Sequence, residues 1–340
     1  MNDKLLTIAI PCYNSQGYMR HALESILPCQ KGLEILIIDD GSTDDTARIA
    51  DDYAARYPET VRALHQRNGG HGKAVMSGLQ YARGEYYKVL DSDDWMDEEA
   101  LFMVMRLLRN MKKRQLQTDM IITNYVYEKP SEQKSHTIAY RNVLPQGRII
   151  RWNEVGHFLP QQNLLMHSLI YRRAVLIESK LDLPEHTFYV DNLFAYQPLS
   201  HVRSLFYLDV DLYHYYIGRS DQSVNEQIMI SRIDQQLLVT RMMIEATNIA
   251  FRDVPRRYAY QIKYLTMVIV VSSILLIRAG TPQALAKKDE LWQTFKQAKP
   301  WLYHDVSHTL LGWLIQRKST PGRWLLSLLY SLSQRIFSFN

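Results

Sequence analysis

We predict an α/β fold in which a mostly parallel β-sheet is followed by a helical C-terminal region, on three observations. In the first hundred residues, short β-rich runs alternate with helical patterns, as in the βαβ units that build parallel sheets. From residue 231 onward the pattern is almost wholly helical. The chain has 340 residues, 46% of them hydrophobic, so it can fill a sizeable core and a smaller second region.

The individual elements follow from the spacing of apolar residues. Strands are predicted at residues 5–10, 33–38, 61–65 and 86–90, and again at 120–127 and 164–171, with a polar loop at 128–136. Helices are predicted at residues 19–26, 43–57, 73–82 and 97–114, and then at 233–251, 258–278, 287–297 and in two terminal stretches. We therefore expect a first domain at residues 1–225 and a helical region at 226–340.

Composition favours a globular protein of the cytoplasm. Only two cysteines occur, Cys12 and Cys29, so neither a disulfide framework nor a zinc site is indicated. The N-terminal residues lack the long apolar segment and the cleavage site of an export signal. The longest apolar run, residues 264–277, is shorter than the roughly 20 residues that span a membrane. We expect that run to form a buried helix.

Basic residues are concentrated in the helical region. Residues 252–340 hold 13 Lys and Arg against 4 Asp and Glu. No basic-aromatic motif typical of nucleic-acid binding accompanies them, so no nucleic-acid partner is expected. Two interpretations stay open: the basic face contacts an anionic membrane surface, or it is a solvated face of a packed helical domain.

Two polar motifs follow predicted strands, where ligands of open α/β sheets bind. In DDGSTDDT at residues 39–46, Asp40 is placed to accept hydrogen bonds from a nucleobase or ribose, although the motif alone is also a good strand-turn-helix. In NGGHGKA at residues 68–74, glycines before a helix can receive phosphate, and Lys73 adds a cation. The alternative for this second motif is a flexible turn.

The sharpest feature is DSDD at residues 91–94, which ends the strand at 86–90. Three carboxylates within four residues repel one another unless a cation or solvent relieves them. Mg²⁺ or Mn²⁺ held by one or two carboxylates and a substrate's phosphates would do so, and would assist a diphosphate leaving group. The alternative is a solvated acidic turn that caps the following helix.

These motifs, with PCYN at residues 11–14 and in this order, resemble the family 2 glycosyltransferases of the GT-A fold over residues 4–225. The resemblance implies a nucleotide-sugar donor, commonly a UDP-sugar. It implies that Pro11 and Tyr13 line the base, that Asp40 and Asp91 lie near the nucleoside, and that Asp93 binds the metal. The same motifs add further expected donor contacts at Asn14, Asn68, Gly72, Lys73 and Ser92.

Inverting transfer also needs a general base beside the acceptor hydroxyl. The family usually draws it from a Glu-Asp pair before a helix, and YVDNLF at residues 189–194 stands at the expected place. Asp191 therefore matches the base, while Val190 replaces the preceding Glu. The alternative is that Asp191 only caps the helix that follows.

A later aromatic run, residues 213–217, leads into a polar loop. Family members often close the donor site with such a segment, so Arg219 and Ser223 are expected at the diphosphate and His214 in the metal sphere. The alternative for His214 is a histidine packed in the core. Finally, residues 323–340 form an amphipathic helical pattern that could lie in a membrane interface, dock on preceding helices or make a homo-oligomer contact.

The sequence thus predicts an inverting, Mn²⁺- or Mg²⁺-dependent hexosyl- or N-acetylhexosaminyltransferase that uses a UDP-sugar. The expected acceptor is a hydroxyl of a cell-surface polysaccharide, a teichoic-acid-like polymer or a lipid-linked oligosaccharide, reached from the inner face of the cell membrane. Two alternatives stay open: a non-catalytic nucleotide-sugar-binding or scaffold protein, and a metal-dependent nucleotidyltransferase.

Overall fold

The structure is a computed structural model that describes residues 4–217 and 225–316. It divides into two compact units, with the division between Ile217 and Gly218. The predicted boundary near residue 225 comes directly after residues 218–224, which are outside the described range. Arg219, Ser223 and the predicted terminal helix at 323–340 also lie outside it.

The first unit is built on one ten-stranded sheet with the order β3-β2-β1-β4-β9-β6-β10-β5, in which β7 adds to β6 and β8 adds to β10. Its strands are β1 (Leu6–Cys12), β2 (Leu33–Asp39), β3 (Val61–His65), β4 (Tyr86–Val89), β5 (Trp95–Met96), β6 (Met120–Lys129), β7 (Lys134–Ile138), β8 (Ile149–Arg151), β9 (Leu169–Arg172) and β10 (Ser204–Tyr216).

Four strands form the parallel half of this sheet. β1 pairs in parallel with β2 and β4, and β2 pairs in parallel with β3. Every residue of β1 and β2 is buried, as expected for parallel strands that are covered on both faces. The helices of this unit are α1 (Met19–Ile26), α2 (Thr46–Arg56), α3 (His71–Tyr81), α4 (Glu98–Lys113), α5 (Arg173–Glu178) and α6 (Asp191–Tyr196).

The other half of the sheet is mixed. β9 is antiparallel to both β4 and β6, and β10 is parallel to β6. Two reversals restore the original direction, so β4, β6 and β10 run the same way as β1, β2 and β3. The carboxyl ends of all six strands therefore meet at one edge of the sheet, where the polar motifs lie.

The predicted polar loop at residues 128–136 is wrong. β6 continues to Lys129, a 3₁₀ turn follows at Pro130–Glu132, and β7 begins at Lys134 and pairs antiparallel with β6. This hairpin is at the edge of the sheet, where Lys134, Ser135 and His136 are exposed. Because β7 buries almost no apolar surface, it lacks the apolar period that identifies a strand in a sequence.

The second unit is helical, as predicted. Its helices are α7 (Glu226–Ser231), α8 (Ile233–Ala246), α9 (Pro255–Ala279), α10 (Pro282–Ala298), α11 (Pro300–Ser307) and α12 (Leu310–Ile315). Proline at the first position of α9, α10 and α11 begins each helix at no cost in hydrogen bonds. Gly280, with φ of 68°, ends α9 in the left-handed region.

α9 is the central helix of this unit and packs against α8 and α10. Leu237, Leu276, Ala284 and Leu291 form a core cluster between these three helices. Among the described residues, α9 alone is long and apolar enough to cross a membrane, by length and composition only. Core helices of globular domains meet the same criterion, and the predicted apolar run at 264–277 is largely buried within α9.

Candidate active site

Loops from three strand ends are linked at the carboxyl edge of the sheet. After β1, the backbone N–H of Asn14 donates to Ser42 Oγ at 3.0 Å, and Asn14 Oδ1 accepts from the N–H of Thr43 at 2.9 Å. Ser15 Oγ lies 2.8 Å from Ser92 Oγ, which ties this loop to the acidic motif after β4. Asn14 adopts a φ of 49°, a conformation that asparagine tolerates better than most residues.

Asp40 holds the glycine loop. Its carboxylate is buried and accepts from the N–H groups of Gly69 at 3.0 Å and Gly70 at 2.7 Å. Gln66 Nε2 donates to the same carboxylate at 2.6 Å, and Asn68 Nδ2 donates to the Asp40 carbonyl oxygen at 2.9 Å. Both side-chain oxygens of Asp40 are therefore engaged with the protein, and its contacts fix the position of Asn68 as well.

The glycine loop packs closely against the segment at residues 183–186. A Cβ on Gly70 would lie 3.0 Å from the backbone of His186, and a Cβ on Gly72 would lie 2.9 Å from the carbonyl oxygen of Pro184. Lys73 Nζ is 3.0 Å from a carboxylate oxygen of Glu185, and both side chains are exposed. The glycines are thus required for close approach of two backbones, and Lys73 forms a surface ion pair in this structure.

Asp91 is the electrostatic centre of the site. Its carboxylate lies 2.8 Å from His71 Nε2 and 3.9 Å from Nε2 of the buried His167. Burial acts to raise the pKa of Asp91, but the charge of His71 and its hydrogen bond outweigh this effect, so the pKa is lowered. Burial acts to lower the pKa of His71, but the charge of Asp91, its hydrogen bond and the charges of Asp191 and Asp93 together outweigh this effect, so the pKa is raised.

The carboxylate of Asp94 is buried and hydrogen-bonded to other residues of the protein. One carboxylate oxygen accepts from the hydroxyl of Tyr213 at 2.6 Å and the other from the N–H of Tyr216 at 2.9 Å. Burial raises its pKa well above the usual value, and the charges of Asp93 and Asp91 act in the same direction. Asp93 is only partly buried, so it remains the more accessible carboxylate of the pair.

A fully buried lysine lies beneath this cluster. Lys88 Nζ donates to the carbonyl oxygen of His167 at 2.7 Å and approaches that of Leu169 at 3.4 Å. It also lies 5.1 Å from the ring centroid of Tyr213. Burial lowers the pKa of Lys88 to about 7. His71, His167 and Lys88 were not among the predicted site residues, although a lysine inside a predicted buried strand was a signal in the sequence.

Asp191 is the first residue of α6 and is partly buried. The cap position belongs to Val190, and no side chain caps the helix. Hydrogen bonds from the backbone N–H groups of Asn192 and of Asp191 itself act to lower the pKa of the Asp191 carboxyl group. Burial raises its pKa, the charge of His71 lowers it and the charge of Asp91 raises it, with a raised pKa as the result. A carboxylate with a raised pKa is a better proton acceptor at neutral pH.

His214 lies beside the residue that follows the acidic motif. It pairs with Trp95 between β10 and β5, its ring stacks on Trp95 at 5.4 Å, and its Nδ1 is 2.9 Å from a Glu128 carboxylate oxygen.

Pro11 and Tyr13 are the two residues expected to line the nucleobase. Pro11 is buried in β1, whereas Tyr13 has 54% of its surface exposed at the strand end.

One group of ligand atoms is close enough for a metal ion among the described residues. Asp91, Asp94 and His167 each offer an atom within 4.8 Å of the others. Asp94 fits poorly, because both of its oxygens already accept hydrogen bonds. One oxygen of Asp91 is likewise engaged by His71, and Asp93, which is partly buried, is not in this group.

Comparison with known proteins defines the class of this fold and site. The crystal structure of residues 1–349 of S. aureus TarS has a TM-score of 0.66 and 17% identity, over 97% of this chain and 92% of that one. Its complex with UDP-GlcNAc has a TM-score of 0.56 and 19% identity, over 87% and 91%. The mannosyltransferase PcManGT from Pyrobaculum calidifontis, with GDP-Man and Mn²⁺, has a TM-score of 0.50 and 14% identity, over 95% and 86%. The fold is that of a GT-A glycosyltransferase.

Sequence comparison identifies the family. Residues 7–171 match the family model described as Glycosyl transferase family 2. A protein named glycosyltransferase EpsH, from Bacillus subtilis, is 26% identical over 298 residues, which are 82% of this chain and 78% of that protein. Residues 7–171 of the chain belong to glycosyltransferase family 2.

Proposed function

We propose that this glycosyltransferase moves a sugar from a UDP-sugar to an acceptor hydroxyl in a single displacement that inverts the anomeric centre from α to β. The observation that carries the proposal is the junction of the glycine loop and the acidic motif at the carboxyl edge of the sheet, where His71 Nε2 lies 2.8 Å from a carboxylate oxygen of Asp91. The charges of both groups act on the pKa of Asp191. A candidate base and a candidate leaving-group site thus share one edge of the sheet. The S. aureus TarS complex supports a UDP-sugar as donor.

The donor is proposed to lie over the ends of β1, β2 and β3. Tyr13 offers an exposed ring to the base, while Pro11, Asn14, Asp40 and Asn68 keep the surrounding loops in position. Asp91 and Ser92 would contact the ribose side, with Gly72, Lys73, Arg219 and Ser223 toward the diphosphate. Lys73 would have to leave its ion pair with Glu185, which is exposed and therefore weak.

The diphosphate is proposed to leave with the help of Mn²⁺ or Mg²⁺ bound by Asp93, with His214 as a further ligand. The Mn²⁺ complex of PcManGT supports a divalent metal ion in this fold. The ion supplies positive charge to the departing diphosphate. Asp191 accepts the acceptor hydroxyl's proton as the new carbon–oxygen bond forms and the bond to the diphosphate breaks.

The acceptor is proposed to be a cell-surface polysaccharide, a teichoic-acid-like polymer or a lipid-linked oligosaccharide, glycosylated at the inner face of the cell membrane. The basic C-terminal residues 252–340 would favour an anionic lipid surface. The exposed Leu310, Leu311 and Trp313 on α12, which precedes the predicted terminal helix in the chain, support this proposal. A homo-oligomer contact is the other use proposed for this surface.

Donor hydrolysis tests the proposed function. A panel of nucleotide-sugars is incubated with Mn²⁺ or Mg²⁺, and release of nucleoside diphosphate is compared between wild type, Asp93→Ala and the control Asp45→Ala. Asp45 is exposed and paired with Arg48, so its loss leaves the site intact. We expect hydrolysis of one UDP-sugar by wild type and the control, and none by Asp93→Ala.

Other results would support the alternatives. Binding of a nucleoside triphosphate with release of pyrophosphate would indicate a nucleotidyltransferase. Binding of a nucleotide-sugar, detected by thermal shift, with no turnover on any acceptor would indicate a scaffold protein. Hydrolysis by Asp93→Ala at the wild-type rate would show that Asp93 is not a metal ligand.

A further inference from the structure

Four tyrosines form a ladder at the carboxyl ends of β6 and β10. The strands are in register, so that Tyr125 pairs with Tyr213 and Tyr127 with Tyr215. Alternate residues of a strand share a face, which places all four rings on one side of the sheet. The centroids of Tyr125 and Tyr127 are 5.2 Å apart, and those of Tyr127 and Tyr215 are 5.7 Å apart.

The two rungs of the tyrosine ladder differ in exposure. Tyr125 and Tyr213 form the inner rung and are fully buried. Tyr127 and Tyr215 form the outer rung, at the strand ends, and are partly exposed. The outer rung is held in place, because the buried ring of His167 stacks on Tyr215 at 4.4 Å. A rigid, partly exposed aromatic pair is therefore presented at the edge of the sheet.

The outer rung is connected through one turn to the helix that begins with the proposed base. The 3₁₀ turn Met166–Ser168, which carries His167, packs against β6, β10 and α6, and α6 begins with Asp191. The same turn thus connects the ladder to the helix that begins at Asp191.

The order of the strands places the tyrosine ladder on the other side of the acidic motif from the ends of β1, β2 and β3, over which the nucleoside is proposed to lie. The sheet begins with β3, β2 and β1 and continues with β4, which is followed by the acidic motif. β9 comes next, and then β6 and β10, which carry the ladder. In a single displacement the acceptor oxygen, the anomeric carbon and the leaving oxygen are in line, so the acceptor approaches from the side away from the nucleotide. The ladder lies on that side.

We propose that Tyr127 and Tyr215 form an acceptor subsite that stacks against a pyranose ring, so that the acceptor ends in a sugar ring and not in an acyclic polyol phosphate. This rests on the proposed function and selects among its acceptors. The C–H face of a pyranose packs on an aromatic ring, and the tyrosine hydroxyls can hydrogen-bond to sugar hydroxyls. A polyol phosphate has no ring face to stack and requires cations.

Acceptor kinetics test the subsite. Transfer from the UDP-sugar that wild type hydrolyses is measured with a panel of p-nitrophenyl hexosides and, separately, with poly(glycerol phosphate) and poly(ribitol phosphate). Tyr127→Leu and Tyr215→Leu remove a ring but keep an apolar side chain, whereas Tyr127→Phe and Tyr215→Phe keep the ring. Tyr81→Leu, an exposed tyrosine on α3, is the matched control.

We expect transfer to a hexoside, and an acceptor KM raised about 3- to 10-fold by each Leu variant, with donor KM and donor hydrolysis unchanged. The Phe variants should raise the acceptor KM less than the Leu variants, because they keep the ring, and Tyr81→Leu should stay near wild type. Preference for a polyol phosphate, or no use of any hexoside by an enzyme that hydrolyses its donor, would overturn the subsite. So would Leu variants that raise donor KM, since the ladder would then line the donor site. Absence of donor hydrolysis by wild type would instead count against the proposed function.

Discussion

At the ends of β1, β2 and β3 the polar side chains are saturated by hydrogen bonds from neighbouring loops, whereas at the ends of β4, β6 and β10 titratable groups are buried with displaced pKa values. Asp40 exemplifies the first half, with three donors on its carboxylate. Asp94 after β4 and Lys88 within β4 exemplify the second, together with Asp191 at the start of α6. In the first half, hydrogen bonds hold the polar groups in fixed positions. In the second half, burial and neighbouring charges displace the pKa values of the ionisable groups.

The largest effect is expected from Asp191→Asn, which removes the proposed proton acceptor from the second half. Transfer should fall by about 10²- to 10⁴-fold, while donor binding measured by calorimetry stays unchanged. Asp182→Asn, an exposed carboxylate in the segment leading to α6, is the control. A transfer rate near wild type in Asp191→Asn would mean that another group accepts the proton.

Asp40→Asn tests the first half through stability. The Asp40 carboxylate accepts hydrogen bonds from two backbone N–H groups and one side-chain amide. The substitution removes its charge and one of its two acceptor oxygens, so at least one buried donor loses its acceptor. The free energy of unfolding should fall by about 2–3 kcal/mol, measured by urea denaturation of the full chain. Donor affinity should fall with it, because the glycine loop loses its anchor. The same change at the exposed Asp45 should alter neither quantity, and unchanged stability of Asp40→Asn would contradict the anchoring role.

Lys88 gives the second half a pH dependence of defined sign. Because burial lowers its pKa from 10.5 to about 7, the unfolded chain binds this proton and the folded chain does not between those values. Stability therefore rises with pH across that interval. Wild type should gain stability relative to Lys88→Met between pH 7 and 9, measured by denaturant midpoints at each pH. A constant difference would mean that Lys88 keeps its ordinary pKa.

The smallest expected effect comes from His65, again in the first half. Its Nδ1 is 2.9 Å from Asp39 and its Nε2 is 3.0 Å from Asp51, and mainly the hydrogen bond to Asp39 raises its pKa. A raised histidine pKa contributes stability below the unfolded pKa of about 6.5, and that contribution is lost as pH rises through the folded value.

The stability difference between wild type and His65→Gln should therefore be larger at pH 6 than at pH 8.5. It should stay below about 1 kcal/mol, because the side chain is 42% exposed. Thermal denaturation at both pH values, at low and high salt, measures it. An equal difference at the two pH values would show that the charge of His65 contributes nothing.

Much of the fold was predictable because burial leaves a local period in the sequence. β3 and α1 have the predicted bounds, and the ends of β1, β2 and β4 differ from prediction by two residues or fewer. The convergence of the motifs containing Asp40 and Asp91 also followed, since parallel strands end at one edge. The assignments of Asp93, His214 and the donor contacts remain predictions.

The parts that escaped prediction depend on contacts between distant residues. Lys88 donates a hydrogen bond to the carbonyl oxygen of His167, which is 79 residues later in the chain. The sequence around either residue does not indicate this contact. His71 lies within a motif that was recognised, but its partner Asp91 is on another loop. The tyrosine ladder needs the register of β6 and β10, which a sequence without strand order does not give.

The insertion of β9 between β4 and β6 has a consequence for synthesis of the chain. The ribosome completes β4 at Val89 and β6 at Lys129, but the strand that joins them begins only at Leu169. At about 5–20 residues per second, the inner edge of β4 waits roughly 4–16 s for its partner. During that interval an open strand edge is available to other nascent chains. The arrival of β9 closes this edge of β4, whereas the other edge of β6 stays open until β10 (Ser204–Tyr216) has been made.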